Sequence, residues 1–157
     1  MATPIGPFNV RRSAWIEAPP ERLWQEFESF ERMKVWYGTG HALTRYEPRV
    51  GGTVETDATN DEQSDTPLVF AGRILVFDAP RELTFEQDWV GHGWRTPPLI
   101  TFRLTPQNGG TIVELFHHGF EAASPVPGDD LNGFESGWDN HHLTRLRDVV
   151  EGIPAVP

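Results

Sequence analysis

The sequence predicts an α+β protein in which a curved antiparallel sheet of about seven strands surrounds a long C-terminal helix, with two short helices after the first strand. The apolar residues repeat every second position from residue 42 to about 120, which indicates strands. After residue 127 they repeat at a helical period and form one stripe. A sheet curved around that helix is the simplest arrangement that buries both apolar surfaces.

A strand and two short helices are expected first. Residues 9–17 alternate as a half-buried strand does, although Trp15 falls on the polar face and the pattern does not explain it. Ala18-Pro19-Pro20 then ends the strand and begins a helix, because proline is tolerated in a first turn. Ser29 is suited to cap a second short helix that ends at Gly38.

Six further strands are expected, with turn signals at the spacing of an antiparallel meander. They are predicted at residues 42–47, 52–57, 68–78, 81–89, 98–105 and 111–119. Asn108-Gly109-Gly110 is a strong hairpin signal, because Asn and Gly accept the positive φ that such turns require. Residues 57–65 carry four acids and no base, and are expected to form a solvated hairpin tip.

The long helix is predicted over residues 131–150. Its apolar stripe consists of Leu131, Phe134, Trp138, His142, Leu146, Val149 and Val150. Gly133 and Gly137 lie within it, and each costs about 1 kcal/mol relative to Ala, so a compensation is expected. Three explanations stay open: a close crossing over the sheet, space for a ligand, or a break in the helix near Gly137.

Composition excludes several classes of partner. The 157 residues include 23 acidic and 13 basic side chains, for a net charge of −10, and no Cys. Such a chain repels nucleic acid and anionic membranes, and it lacks a disulfide framework or a thiolate site. The length predicts one domain over residues 1–157, and the missing signal-peptide pattern predicts a cytoplasmic protein. The acidic side chains are expected to form a solvated shell.

Several short motifs occur in an order that resembles the SRPBCC (START-like, helix-grip) superfamily. They are residues 16–24 (IEAPPERLW), Trp36-Tyr37-Gly38, Gly51-Gly52, residues 80–85 (PRELTF), Gly109-Gly110-Thr111, residues 117–120 (HHGF) and Gly137-Trp138. Within the superfamily, the chain most resembles the bacterial branch similar to the C-terminal domain of the activator of the heat-shock-protein-90 ATPase. The resemblance spans about residues 9–151. Val35-Trp36-Tyr37 departs from the Trp pair of many relatives, which changes the expected pocket rim.

The alternation also predicts which side chains face inward. Glu114 faces outward, so Val113, Leu115 and His117 face inward on the same strand. The same reasoning places Leu83, Phe85, Gln87, Trp89, Ile100, Phe102 and Leu104 inward. Two interpretations remain: a filled core in which Gln87 and His117 pair with the backbone, or a pocket. The cavity that the resemblance implies favours the pocket.

The resemblance and this lining together predict a non-enzymatic protein that binds a hydrophobic, aromatic small molecule between sheet and helix, as in natural-product binding or self-resistance. The expected ligand contacts are Trp36, Phe70, Gln87, Trp89, Phe102, His117, Gly137 and Trp138. Two alternatives follow from the same superfamily. One is a co-chaperone-like activator of the heat-shock-protein-90 ATPase that uses the acidic outer face. The other is a polyketide cyclase or aromatase with His117 as acid or base.

The six His residues raise the question of a metal. Adjacent His residues diverge on a strand or helix, so only one of each pair reaches a shared site. His117 and His142 would need His41 or His92 as a third ligand, and no metal-binding spacing joins them. No metal and no cofactor are therefore expected. Neither the ligand nor the oligomeric state follows from the sequence.

Overall fold

The computed structural model describes residues 3–37, 42–57, 69–91, 93–94, 96–124, 127–129, 131 and 141–152. The strands are β1 Asn9–Ile16, β2 Ala42–Tyr46, β3 Thr53–Asp57, β4 Val69–Asp78, β5 Glu82–Glu86, β6 Asp88–Trp89, β7 Leu99–Gln107 and β8 Gly110–His118. The α-helices are α1 Pro20–Trp24, α2 Phe30–Trp36, α3 Phe120–Ala123 and α4 His141–Glu151, and a 3₁₀ helix spans Gln25–Phe27.

The strands form one antiparallel sheet in the order β1-β8-β7-β5-β4-β3-β2, and β6 pairs with β4 beside β5. This arrangement confirms the predicted α+β helix-grip architecture. The strand predicted at residues 81–89 is divided in two at Gln87, whose backbone N–H donates to the Pro98 carbonyl at 2.8 Å. Nearby, β4 approaches β5 so closely that a Cβ at Gly72 would clash with the Glu86 carbonyl.

The two short helices begin where the sequence predicts. Pro20 occupies the first turn of α1, which then tightens into the 3₁₀ helix. The Ser29 hydroxyl accepts a hydrogen bond from the Arg32 backbone N–H at 3.2 Å, so the predicted cap of α2 is confirmed. The helix ends at Trp36, and the predicted stop at Gly38 lies outside the described residues.

The β7–β8 hairpin turns at Asn108 and Gly109, whose φ angles of 53° and 78° confirm the predicted turn. The hairpin also explains Trp15. The Trp15 indole N–H donates to the Gln107 carbonyl at 2.9 Å, and the ring lies where a Cβ on Gly110 would be. Trp15 therefore stays 42% exposed on the outer face because it covers the end of this hairpin.

The core lies between the inner face of the sheet and the helices. In this layer α4 packs against β1 and α2, and Leu143 and Leu146 are fully buried. Of the helix predicted over residues 131–150, residues 131 and 141–150 are described, and the latter belong to α4. Gly133, Gly137 and most of the predicted acidic tip lie outside the described residues. None of the described helices is long and apolar enough to cross a membrane.

The prediction that the acidic side chains form a solvated shell is wrong for two of them. Glu26 is 2% exposed, because Arg22 and Arg32 pair with its carboxylate at 3.2 and 2.8 Å. Glu82 is 5% exposed although it lies on the outer face of the sheet, where it pairs with Arg103 at 3.0 Å. Both charges are buried with a guanidinium partner.

Candidate functional site

The inner face of the sheet is an apolar wall across three neighbouring strands. In its register, Phe85 lies opposite Ile100, and Ile100 lies opposite His117. The inward-facing side chains of this wall are all buried, and they are Leu83, Phe85, Gln87, Ile100, Phe102, Leu104, Val113, Leu115 and His117. The alternation in the sequence therefore predicts this wall correctly, while the inward-predicted Trp89 is only partly buried.

An aromatic cluster joins this wall to α2. Trp36 packs edge-on against Phe27 and Phe102, with ring centroids 5.0 and 5.6 Å apart. Its indole N–H donates to the Glu26 carbonyl at 3.2 Å, and no part of Trp36 is exposed. Two of the predicted ligand contacts, Trp36 and Phe102, thus lie side by side in a closely packed aromatic wall.

Tyr37, directly after α2, brings polar groups into this wall. Its ring centroid lies 6.2 Å from that of Phe85, 6.0 Å from that of Phe102 and 5.1 Å from that of His142. The Tyr37 hydroxyl donates to Gln87 Oε1 across 3.4 Å. Burial raises the pKa of Tyr37 well above its usual range, so the phenol is a neutral donor. Gln87 and His142 come from separate parts of the chain, and both contact Tyr37.

Hydrogen bonding to the segment before β7 holds Gln87 at this position. The Gln87 side chain is buried, and its backbone N–H donates to the Pro98 carbonyl at 2.8 Å, which continues the register of Glu86 and Leu99 by one pair. The predicted inward direction of Gln87 is confirmed, and its partner is a side chain rather than the backbone expected for a filled core. A buried amide has both a donor and an acceptor to offer a bound molecule.

His117 lies on β8, away from Gln87. It is two strands away from β5, a distance of about 10 Å across the sheet. Its ring centroid lies 4.8 Å from that of Phe120. Burial, together with the neighbouring His118, lowers the pKa of His117 to about 3, so the imidazole is neutral at physiological pH. A neutral imidazole with so low a pKa is a weak base and holds no acidic proton to donate.

Phe70 and Trp89 belong to a second aromatic group, where β6 pairs with β4. Their ring centroids are 6.0 Å apart, and the Trp89 ring lies 6.2 Å from that of Trp94. The two other predicted ligand contacts, Gly137 and Trp138, lie outside the described residues. The six predicted contacts that the structure describes are therefore divided between the wall around Tyr37, the surroundings of His117 and this second group.

Two of the four His residues of the metal hypothesis, His117 and His142, are among the described residues. His142 lies against Tyr37, whereas His41 and His92 lie outside the described residues. Within the ranges that the structure describes, no three His, Asp or Glu side chains are grouped to hold a metal ion.

Tyr37 is the site residue that the list of predicted contacts omits. The sequence carried a signal for it, because Val35-Trp36-Tyr37 departs from the pattern of the resembling family at the expected pocket rim. A tyrosine in place of a second tryptophan keeps an aromatic ring and adds a hydroxyl. The departure therefore marks the point where this chain introduces its own polar group.

A family model described as "Activator of Hsp90 ATPase homolog 1-like protein" matches residues 17–151. The chain belongs to this family. The match covers α1 to α4 and the sheet between them, so it includes every described residue of the inner wall. A search of curated proteins found no match.

Solved structures share the fold at low sequence identity. Protein NE0264 from Nitrosomonas europaea is 15% identical with a TM-score of 0.70, over 97% of this chain and all of that one. The Aha1 dimer from Colwellia psychrerythraea is 16% identical with a TM-score of 0.58, over 91% and 96% of the two chains. DynU16, a putative protein in the dynemicin biosynthetic locus, is 18% identical with a TM-score of 0.68. The alignment covers 93% of this chain and 48% of DynU16.

Membership of the Activator of Hsp90 ATPase homolog 1-like family supports a helix-grip domain that binds small molecules. The solved structures establish the fold alone, because their identities lie between 15% and 21%. The choice of ligand therefore depends on the inner wall of this chain.

Proposed function

We propose that this chain, acting as one domain, binds an aromatic small molecule between the inner face of the sheet and α4 and does not transform it. The observation that carries the proposal is that Gln87 and His142 both contact Tyr37 within an otherwise aromatic wall. Small-molecule sites typically combine apolar walls with a few polar groups that orient the ligand. The inner wall has this composition.

The Tyr37–Gln87 pair also indicates which polar groups the ligand carries. Its 3.4 Å separation is long for a hydrogen bond between oxygen atoms, so little free energy is lost when a ligand atom replaces one partner. The phenol donates, and the amide both donates and accepts. We therefore expect an aromatic ligand that carries a hydroxyl or carbonyl group, such as a phenol or a quinone.

Two tyrosines provide a matched test of this assignment. Tyr37→Phe removes the hydroxyl at the proposed site, where the hydrogen bond is long. Tyr46→Phe removes a hydroxyl that donates to the Phe27 carbonyl at 2.6 Å, also inside the core. We expect Tyr37→Phe to weaken ligand binding with little loss of stability, and Tyr46→Phe to do the opposite.

The measurement uses 2-naphthol as an aromatic hydroxyl probe and naphthalene as its apolar counterpart. Isothermal titration calorimetry is expected to show tighter binding of 2-naphthol to the wild type, and Tyr37→Phe should remove about 1 kcal/mol of that preference. Equal losses of affinity for both probes, or no effect of Tyr37→Phe, would contradict the assigned polar site. Native mass spectrometry of protein purified from its native host then identifies the natural ligand.

An ATPase assay distinguishes the co-chaperone alternative from small-molecule binding. The family description names activation of the Hsp90 ATPase, and stimulated turnover by this chain in the absence of any small molecule would favour that function. The DynU16 locus supports a natural-product ligand instead. The cyclase alternative with His117 has less support, because its pKa of about 3 suits neither a general acid nor a general base near neutral pH.

A further inference from the structure

The first described residues of the chain lie against the outer face of the sheet. We call residues 3–8 the N-terminal strap. The Thr3 hydroxyl donates to Glu82 Oε2 at 2.6 Å, and the Arg103 guanidinium donates to the Thr3 carbonyl. Further along, Gly6 approaches Glu121 so closely that a Cβ there would clash with the carboxylate. The strap is thus fastened to β5, β7 and α3.

Beneath the strap, a chain of hydrogen bonds crosses three strands. The Thr84 hydroxyl donates to Glu82 Oε2 at 3.1 Å and lies 2.9 Å from the Thr101 hydroxyl, which in turn lies 2.8 Å from His118 Nε2. None of these four side chains is more than 5% exposed. The outer face of a sheet is normally solvated, so a buried polar chain here depends on the groups that cover it.

Glu82, at one end of this chain, is held as a carboxylate. Burial alone would raise the pKa of Glu82, but hydrogen bonds from Thr3, Arg103 and Thr84 outweigh that effect and lower it below its usual value. Thr3 belongs to the strap itself. The closed strap therefore favours the ionised form of Glu82.

His118, at the other end, is held in its neutral form. Burial lowers the pKa of His118 and the Arg103 charge lowers it further, while Glu121, Glu82 and the Ile5 backbone oppose them without cancelling the shift. An imidazolium here would have to leave water and stand beside a guanidinium. The closed strap favours the neutral imidazole by keeping His118 away from water, and this burial outweighs the opposing hydrogen bond to the Ile5 backbone within the strap.

The other charged groups on this face come from each neighbouring element. They are Arg11 on β1, Arg73 and Asp78 on β4, Glu86 on β5 and Glu114 on β8, and Asp78 lies directly opposite Glu82. Arg11 and Glu114 are paired at 2.9 Å and together add little net charge at His118. The effect of pH on the strap is thus governed by His118 and Glu82.

We propose that the N-terminal strap is an acid-released latch, in which proton uptake by His118, and at lower pH by Glu82, detaches residues 3–8 from the outer face of the sheet. Each group binds its proton more weakly when the strap is closed than when it is open. The latch is therefore fully closed above about pH 6.5, the usual pKa of His. It weakens as His118 becomes protonated below that pH, and weakens again as Glu82 becomes protonated below about pH 4.5.

Nuclear magnetic resonance of the full ¹⁵N-labelled chain tests the latch between pH 7.5 and pH 4.5. We expect the heteronuclear NOE of residues 3–8, excluding the prolines, to fall by more than half across this range. Amides of β7 and β8 should keep their folded shifts, which separates strap release from unfolding. A strap whose NOE values stay at those of the sheet down to pH 4.5 would overturn the proposal.

Neighbouring histidines provide the matched variants. His118→Gln keeps a polar group but has no proton to take up, so the strap should stay ordered between pH 7.5 and pH 5. His117→Gln changes the adjacent residue on the opposite face and should leave the release unchanged. Glu82→Gln should release the strap even at pH 7.5. This test remains valid if either histidine variant fails to fold. Unaltered strap release in His118→Gln, or an ordered strap in Glu82→Gln, would contradict the latch.

Discussion

His117 and His118 are neighbours on β8, yet the two faces of the sheet bury them in opposite ways. His117 faces the core, where Phe120 and apolar side chains surround it. His118 faces the strap, where Thr101 and the Ile5 backbone bind its ring. The inner face is stabilised by the removal of apolar area from water, which requires close packing but no direction. The outer face is stabilised only while its hydrogen bonds remain complete.

The largest effect is expected from a cavity on the inner face. Phe102 is fully buried and packs against Phe27, Trp36 and Tyr37, so Phe102→Ala should lower the free energy of unfolding by about 3 to 5 kcal/mol. Phe116 provides the contrast on the outer face, where it is 8% exposed. Urea denaturation of both alanine variants gives their losses of unfolding free energy. Equal losses in Phe116→Ala and Phe102→Ala would contradict the expected difference between the two faces.

A smaller loss of stability is expected when the buried carboxylate of the outer face is neutralised. Glu82→Gln weakens the bonds from Arg103, Thr3 and Thr84 and should cost about 2 to 3 kcal/mol. The control is Glu114→Gln, because Glu114 is partly exposed and pairs with a half-exposed Arg11, which limits the loss to about 1 kcal/mol. Similar midpoints for the two variants in urea would show that the outer network contributes no more than a surface ion pair.

The two histidines should give the stability a pH dependence. The unfolded chain protonates His117 near pH 6.5 and the folded chain only near pH 3, so acid favours unfolding. Between pH 6.5 and pH 5, His117 should account for a loss of about 2 kcal/mol. His117→Leu should flatten this part of the stability profile and leave the smaller contribution of His118. An unchanged slope in His117→Leu would place the titrating group elsewhere.

The smallest effect concerns the edge of the outer face. Trp15→Phe keeps the ring over the hairpin but removes the bond to the Gln107 carbonyl, and should cost about 0.5 to 1 kcal/mol. Val50→Ala, at a side chain 65% exposed, is the reference and should change the stability by less than about 0.5 kcal/mol. Thermal denaturation of the two variants distinguishes a hairpin cover from an ordinary surface residue.

Local signals in the sequence are sufficient for much of the inner face. The alternation around Glu114 places three side chains of β8 correctly, and the Ser29 cap and the Asn108-Gly109 turn depend only on adjacent residues. These features are predictable because the interactions that determine them lie within a few positions along the chain.

The outer face and the strand break could not be predicted in this way. Glu82 is buried because Thr3, 79 positions earlier, folds back onto it. Strand β5 ends at Glu86, where Gly72 approaches closely, whereas the alternation of side chains continues through Gln87 into β6. In both cases the deciding contact joins distant parts of the chain and leaves no local pattern.

Two adjacent positions of β8 carry imidazoles, and this limits how many positive charges the strand can hold. The proximity of His118 contributes to the lowered pKa of His117, so a proton on either ring makes the other harder to protonate. The two sites titrate anti-cooperatively, and His118, the less deeply depressed of the two, takes the first proton. The aromatic interior therefore stays uncharged through the mildly acidic range, because the single proton that β8 accepts goes to its outer side.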